Sequence, residues 1–171
     1  LVGENFRGLQ FYERRGDRSE VSLVSLQEPV PNALEILEAA EIVKDHLFIA
    51  RSVENFADPY GGNFRETQII DLSRPETPFI AGRVTAGPGQ EWAGATEFKF
   101  ARGTLWAWRS KFLEAIDVAD PLRPARISST RLVPADVAAV RARLTFDGSR
   151  LVVATDDGVA GRLFLLDGEE A

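Results

Sequence analysis

Apolar residues along this chain come in short runs separated by polar or turn-forming residues. β-branched and aromatic residues gather at 9–12, 46–50, 69–72, 79–84, 97–100, 104–108, 143–146 and 150–154, and Gly, Pro, Asp or charged residues bound these runs. Such runs suit strands on a pleated, buried surface. The pattern predicts an all-β chain.

The runs recur at a fixed step. Ile69-Ile70-Asp71-Leu72-Ser73-Arg74-Pro75-Glu76-Thr77-Pro78 is followed 46 residues later by Ala115-Ile116-Asp117-Val118-Ala119-Asp120-Pro121-Leu122-Arg123-Pro124. The apolar residues, the Asp and both prolines fall in register. The same step backwards reaches Leu23-Val24-Ser25-Leu26-Gln27-Glu28-Pro29, with Ser25 in place of Asp and the second proline early, at Pro31. A weaker copy is Leu163-Phe164-Leu165-Leu166-Asp167-Gly168. The chemistry is that of a strand entering a turn. An Asp at the strand end accepts hydrogen bonds from backbone N–H groups in the turn, and proline removes donors where the ladder stops. The outgoing arms are expected at 33–37, 79–84 and 125–132, with further strands ahead of each motif.

The repeating unit is therefore four short antiparallel strands in about 46 residues, the content of one propeller blade. The fold expected is an all-β propeller, whole or partial, with blades at roughly 1–38, 39–85, 95–133 and 137–171. Fourteen strands are counted where four full blades would need sixteen. The chain is then a ring of four or a segment of a larger ring, whose exposed edges call for further blades or a second chain. Two stretches pull the other way. Residues 32–41 are rich in Ala, Leu and Glu, good helix formers, and Pro134 can open a helical turn over 134–140. The repeat overrides the first, and a single turn remains open for the second.

On these residues the chain resembles known propellers. Ile70 to Pro78 is similar to the LVIVD-type repeat of bacterial surface and secreted proteins, and Ile116 to Pro124 follows with Ala119 where that family has Ser. Leu144-Thr145-Phe146-Asp147-Gly148-Ser149-Arg150-Leu151-Val152-Val153-Ala154-Thr155 resembles the turn of YVTN-like and TolB-like blades, with Phe146 in place of proline. The Asp-Gly pair is also a hairpin signal in its own right. The resemblance covers about two thirds of the chain. It implies a ligand- or protein-binding scaffold, with no shared catalytic residues to carry over, and export to a bacterial periplasm or surface.

Composition narrows the function classes. The 171 residues carry 26 acidic and 20 basic side chains, a net charge of −6, and no Cys. Without Cys, disulfides, thiolate metal sites and Cys nucleophiles are excluded. The basic residues form no tract, which speaks against nucleic acid as a partner. No apolar run approaches the ~20 residues of a membrane-spanning helix. The chain opens at Leu1 without a basic-then-apolar leader, so a removed leader or a piece of a longer protein is expected.

Candidate chemistry is sparse. His46 is the only histidine and opens an apolar strand beside Asp45. A Ser-His-Asp triad or zinc site would have to be built around it, and a structural role is favoured. The longest insertion, 52–66, holds Glu54, Asp58, Tyr60, Gly61-Gly62, Asn63 and Arg65, with Arg51 just before it. Loops on a rigid scaffold commonly carry binding. Trp92, among turn residues, either stacks on a ligand or plugs a gap between blades. Trp106 and Trp108 share one strand face and read as core. The Asp156-Asp157-Gly158 and Asp147-Gly148 stretches offer oxygen ligands, but lack calcium-loop spacing and read as turns. Asp71 and Asp117 recur with the repeat and read as structural. No phosphate loop or nucleophile elbow is present.

The expected ligand-binding set is Arg51, Asp58, Tyr60, Asn63, Arg65 and Trp92, with no catalytic residue, metal ligand or cofactor. The expected role is a non-enzymatic module that binds protein or carbohydrate. Its rivals are a hydrolase- or lactonase-like propeller with an axial metal, and a purely structural part of a larger assembly.

Overall fold

The computed structural model describes residues 9–15, 18–24, 33–55, 63–74, 77–137 and 140–167. Among these residues, thirteen strands form four antiparallel meanders. The first is a hairpin of β1 (Leu9–Arg15) and β2 (Arg18–Val24). The second runs β3 (Ala33–Val43), β4 (His46–Asn55), β5 (Phe64–Asp71) and β6 (Phe79–Thr85) in sequence order. The third repeats this with β7 (Glu97–Ala101), β8 (Thr104–Arg109), β9 (Phe112–Asp117) and β10 (Ala125–Arg131). The fourth holds β11 (Arg141–Asp147), β12 (Arg150–Asp156) and β13 (Gly161–Asp167). The all-β expectation therefore holds.

One boundary differs from the sequence reading. The outgoing arm expected at 33–37 runs on to Val43 as a single strand, β3, with a bulge between Leu37 and Ala39. Glu38, Ala39 and Ala40 include no turn former, so nothing stops the strand there. β4 is also ten residues long and needs a partner along its whole length. Residues 33–38 accordingly belong to the second sheet rather than to a first blade. Much of the expected 52–66 insertion is likewise strand, because β4 runs to Asn55 and β5 begins at Phe64. The stretch 134–137 makes a turn, with the Val137 N–H donating to the Pro134 carbonyl at 3.4 Å. The one helical turn among the described residues is a 3-10 turn at Glu91–Gly94.

The repeat motif works through local hydrogen bonds. Asp71 Oδ1 accepts the Ser73 N–H at 2.7 Å, and Asp117 Oδ1 accepts the Ala119 N–H at 2.8 Å. The Ser73 side chain and then its backbone N–H hold the Asp71 carboxyl below the usual carboxylate range. Each carboxylate stabilises the chain's exit from its strand. The first copy of the motif from residue 25, together with Pro75 and Glu76, lies outside the described residues.

Packing between sheets follows from strand alternation. Phe48, Ala50 and Ile69 of the second sheet meet Leu105, Ala107 and Ile116 of the third, and Trp92, Ala93 and Ala95 fill the gap. The opposite face of the third sheet presents Trp106, Trp108, Leu113 and Ala115 to Leu144, Leu151 and Val153 of the fourth. The Trp108 indole N–H donates to the Val140 carbonyl at 3.3 Å, so its one polar atom is partnered. The first strands of the last three sheets, β3, β7 and β11, are neighbours. Glu41 on β3 accepts from the Phe100 N–H at 3.0 Å and from Lys99 Nζ at 3.3 Å on β7. Arg143 on β11 donates to Glu97 on β7 at 2.7 Å.

Candidate functional site

In each of the last three sheets the first strand begins at the end where the second strand turns into the third. That end of the last three sheets carries the β4–β5 connection and the β8–β9 and β12–β13 turns. A cleft of about 890 Å³ opens there, lined by residues of all three sheets. Arg65 comes from β5, Arg109 from the end of β8, Ser110 from the β8–β9 turn, and Arg141 and Arg143 from β11. Glu38, Thr96, Thr155 and Asp156 complete its polar lining.

The cleft is a basic spot in an acidic protein: four arginines face two carboxylates, against a net charge of −6 for the chain. Arg143 is engaged by Glu97, and Arg109 stands 3.7 Å from the buried Glu114. Arg109 also lies over the Phe112 ring at 5.3 Å, which fixes its plane. Arg65 and Arg141 are exposed and make no side-chain hydrogen bond or ion pair among the described residues. The Arg65 stem lies on Gly94: a Cβ added there would stand 3.1 Å from Arg65 Cδ, so any larger residue would push the stem by a few tenths of an ångström. Thr155 is 4% exposed, and its hydroxyl has no partner among the described residues. The Nε atom of Arg109 is also buried and unpartnered. Leaving a buried polar atom unsatisfied costs about 1–3 kcal/mol. Glu38 accepts the Ser52 hydroxyl at 2.5 Å. A second, smaller cleft shares Arg65 and adds Ser52, Glu54, Asn63 and Phe64.

The sequence candidates divide between surface and interior. Asn63 and Arg65 come together on the smaller cleft. Asp58 and Tyr60 lie outside the described residues. Arg51 is 5% exposed and is held inside the second sheet. It meets Glu66 Oε1 at 2.7 Å from Nε and Glu35 Oε2 at 3.0 Å from Nη1. The register sets Arg51 directly across from Glu66, so the two side chains share one face of the sheet and pair there. Trp92 is fully buried at 0% exposure, and its indole N–H donates to Gln90 Oε1 at 2.7 Å. Of the two roles open to it, it fills the one between sheets. Arg109, Arg141, Arg143 and Thr155 were missed. Their sequence signal is faint: an Arg at the end of one strand, and an Arg-x-Arg pair opening another.

The remaining candidates have local roles. Asp156 Oδ1 accepts the Gly158 N–H at 2.8 Å, and Asp157 Oδ1 accepts the N–H groups of Val159 and Ala160 at 2.9 and 2.7 Å. Ala160 first, then Arg162 and Val159, lower the Asp157 carboxyl from 3.8 to about 2. These are turn carboxylates. Among the described residues, no helix is long and apolar enough to cross a membrane. In comparisons with known proteins, no family model and no curated protein matches the sequence.

Proposed function

We propose that this chain is a run of β-propeller blades acting as a non-enzymatic binding and scaffold module of a secreted or cell-surface protein. Rigid sheets hold the loops of one end in place for a protein or carbohydrate ligand, so the entropy of ordering them is spent in folding and not in binding. The observation that carries this reading is the recurrence of one inter-sheet arrangement. β3, β7 and β11 stand side by side, and Glu41–Lys99 and Glu97–Arg143 bridge them at positions matched by the β3–β4, β7–β8 and β11–β12 turns. The likeness to LVIVD-type and YVTN-like repeats supports both the blade reading and export.

The outer face of the fourth sheet fits the same scheme. Val152, Ala154, Leu163 and Leu165 hold the register positions that Trp106, Trp108, Leu113 and Ala115 hold on the third. Leu163 and Leu165 are 64% and 52% exposed, whereas their counterparts are buried. Burying such a leucine is worth about 1.5–3 kcal/mol. The occupant this face fits is a further sheet of the same repeat. Sedimentation velocity tests it: the chain should self-associate, and Leu163→Asp with Leu165→Asp should return it to monomer. A stable monomer that binds no hydrophobic dye would refute the blade-face reading. Turnover of ester or lactone substrates, with or without added divalent metal, would refute the non-enzymatic one.

A further inference from the structure

We infer that the large cleft binds a small ligand carrying at least two anionic groups, carboxylate or phosphate. This rests on the display reading, because it assigns a ligand class to the loop-bearing end. The cleft volume of about 890 Å³ is that of a small-molecule site, for which about 300–1,000 Å³ is usual. Its chemistry is directional. Arg65 and Arg141 come from different sheets, each offering an unengaged guanidinium fork to the same space. A guanidinium fork matches the two oxygens of a carboxylate or phosphate. One anionic group would occupy one fork, and a second group the other.

Arg109 and Arg143 line the same space, so the forks of Arg65 and Arg141 open onto a cleft that carries four arginines against two carboxylates. The acidic remainder of the chain sets the size of the ligand. A net charge of −6 repels long polyanions, while a small anion senses chiefly the local arginines within a screening length of about 10 Å. Gly94 contributes by position: it seats the Arg65 stem, with 3.2 Å between its hypothetical Cβ and Arg65 Cβ.

Isothermal titration calorimetry of the whole chain with citrate and, separately, with pyrophosphate at about 0.1 M ionic strength tests this. Saturable one-to-one binding of at least one probe is expected. Arg65→Ala and Arg141→Ala should each weaken it about tenfold or more. Arg123→Ala, a surface change outside the cleft lining, should not. Preference for citrate identifies the carboxylate source, and preference for pyrophosphate the phosphate source. Absence of saturable binding by both probes, or an equal loss in Arg123→Ala, would overturn the inference. If the anions fail but a protein or glycan still binds, the display reading stands without this site. Turnover of an ester or lactone sinks the display reading whatever the anions do.

Discussion

Arg51 offers the sharpest test of how the second sheet is held. Its guanidinium meets Glu66 Oε1 at 2.6 Å from Nη2 and Glu35 Oε2 at 3.0 Å from Nη1, with both partners' side chains 6% exposed. Gln68 Nε2 adds a hydrogen bond to Glu66 at 2.9 Å, and the Phe64 ring covers the guanidinium at 5.7 Å. Replacing Arg51 with Met keeps the stem's bulk but removes the cation that pairs with the buried Glu66 and Glu35. Breaking a buried pair in this way costs about 3–5 kcal/mol, because the remaining charge is uncompensated. With a urea dependence of about 2 kcal/mol per molar, the unfolding midpoint should fall by about 2 M. Glu66→Gln is gentler, since it keeps an acceptor and loses only charge assistance. It should cost about 1–2 kcal/mol and move the midpoint by about 0.5–1 M. Equilibrium urea unfolding followed by Trp fluorescence reads both. A shift below about 0.5 M for Arg51→Met would mean that the network is not a buried one and that Arg51 is free to meet a ligand.

Trp108→Ala should cost about 3–5 kcal/mol by emptying the interface between the third and fourth sheets, read by the same unfolding curve. Gly103→Ala meets no neighbouring atom but sits at φ +84°, so its loss of about 1–2 kcal/mol in thermal unfolding would be purely conformational. Asp157→Asn tests the turn carboxylate. A folded-state pKa of about 2, below the usual 3.8, gives stability that is present above 3.8 and lost as pH falls through 2. The variant should therefore melt lower than the parent at neutral pH, and the two should converge near pH 2. An unchanged difference across that range would exclude the carboxylate as the cause.

The strands were legible because their signals are local. β-branched runs, an Asp that caps its own turn and prolines that end the ladder all act within a few residues, and Asp71 and Asp117 make the bonds their positions call for. Where the repeat was used to overrule local chemistry the boundary moved, as at Glu38 to Ala40, which contain nothing to stop a strand. The alternation of Trp106 and Trp108 likewise predicts a shared face, and both are buried there.

The site was much less legible. Arg51 and Arg65 look alike in sequence, yet strand register sets one into the sheet beside Glu66 and the other across from Ser52 at the cleft. Trp92 reads equally as plug or ligand platform until the second and third sheets close over it. Sequence by itself determined that this chain makes short antiparallel strands with self-capping turns, since those preferences are set by each residue and its nearest neighbours. Only the tertiary structure decided which arginines share a space. Arg65, Arg109 and Arg141 lie far apart along the chain, and the packing of three sheets, not any motif, brings them to one cleft.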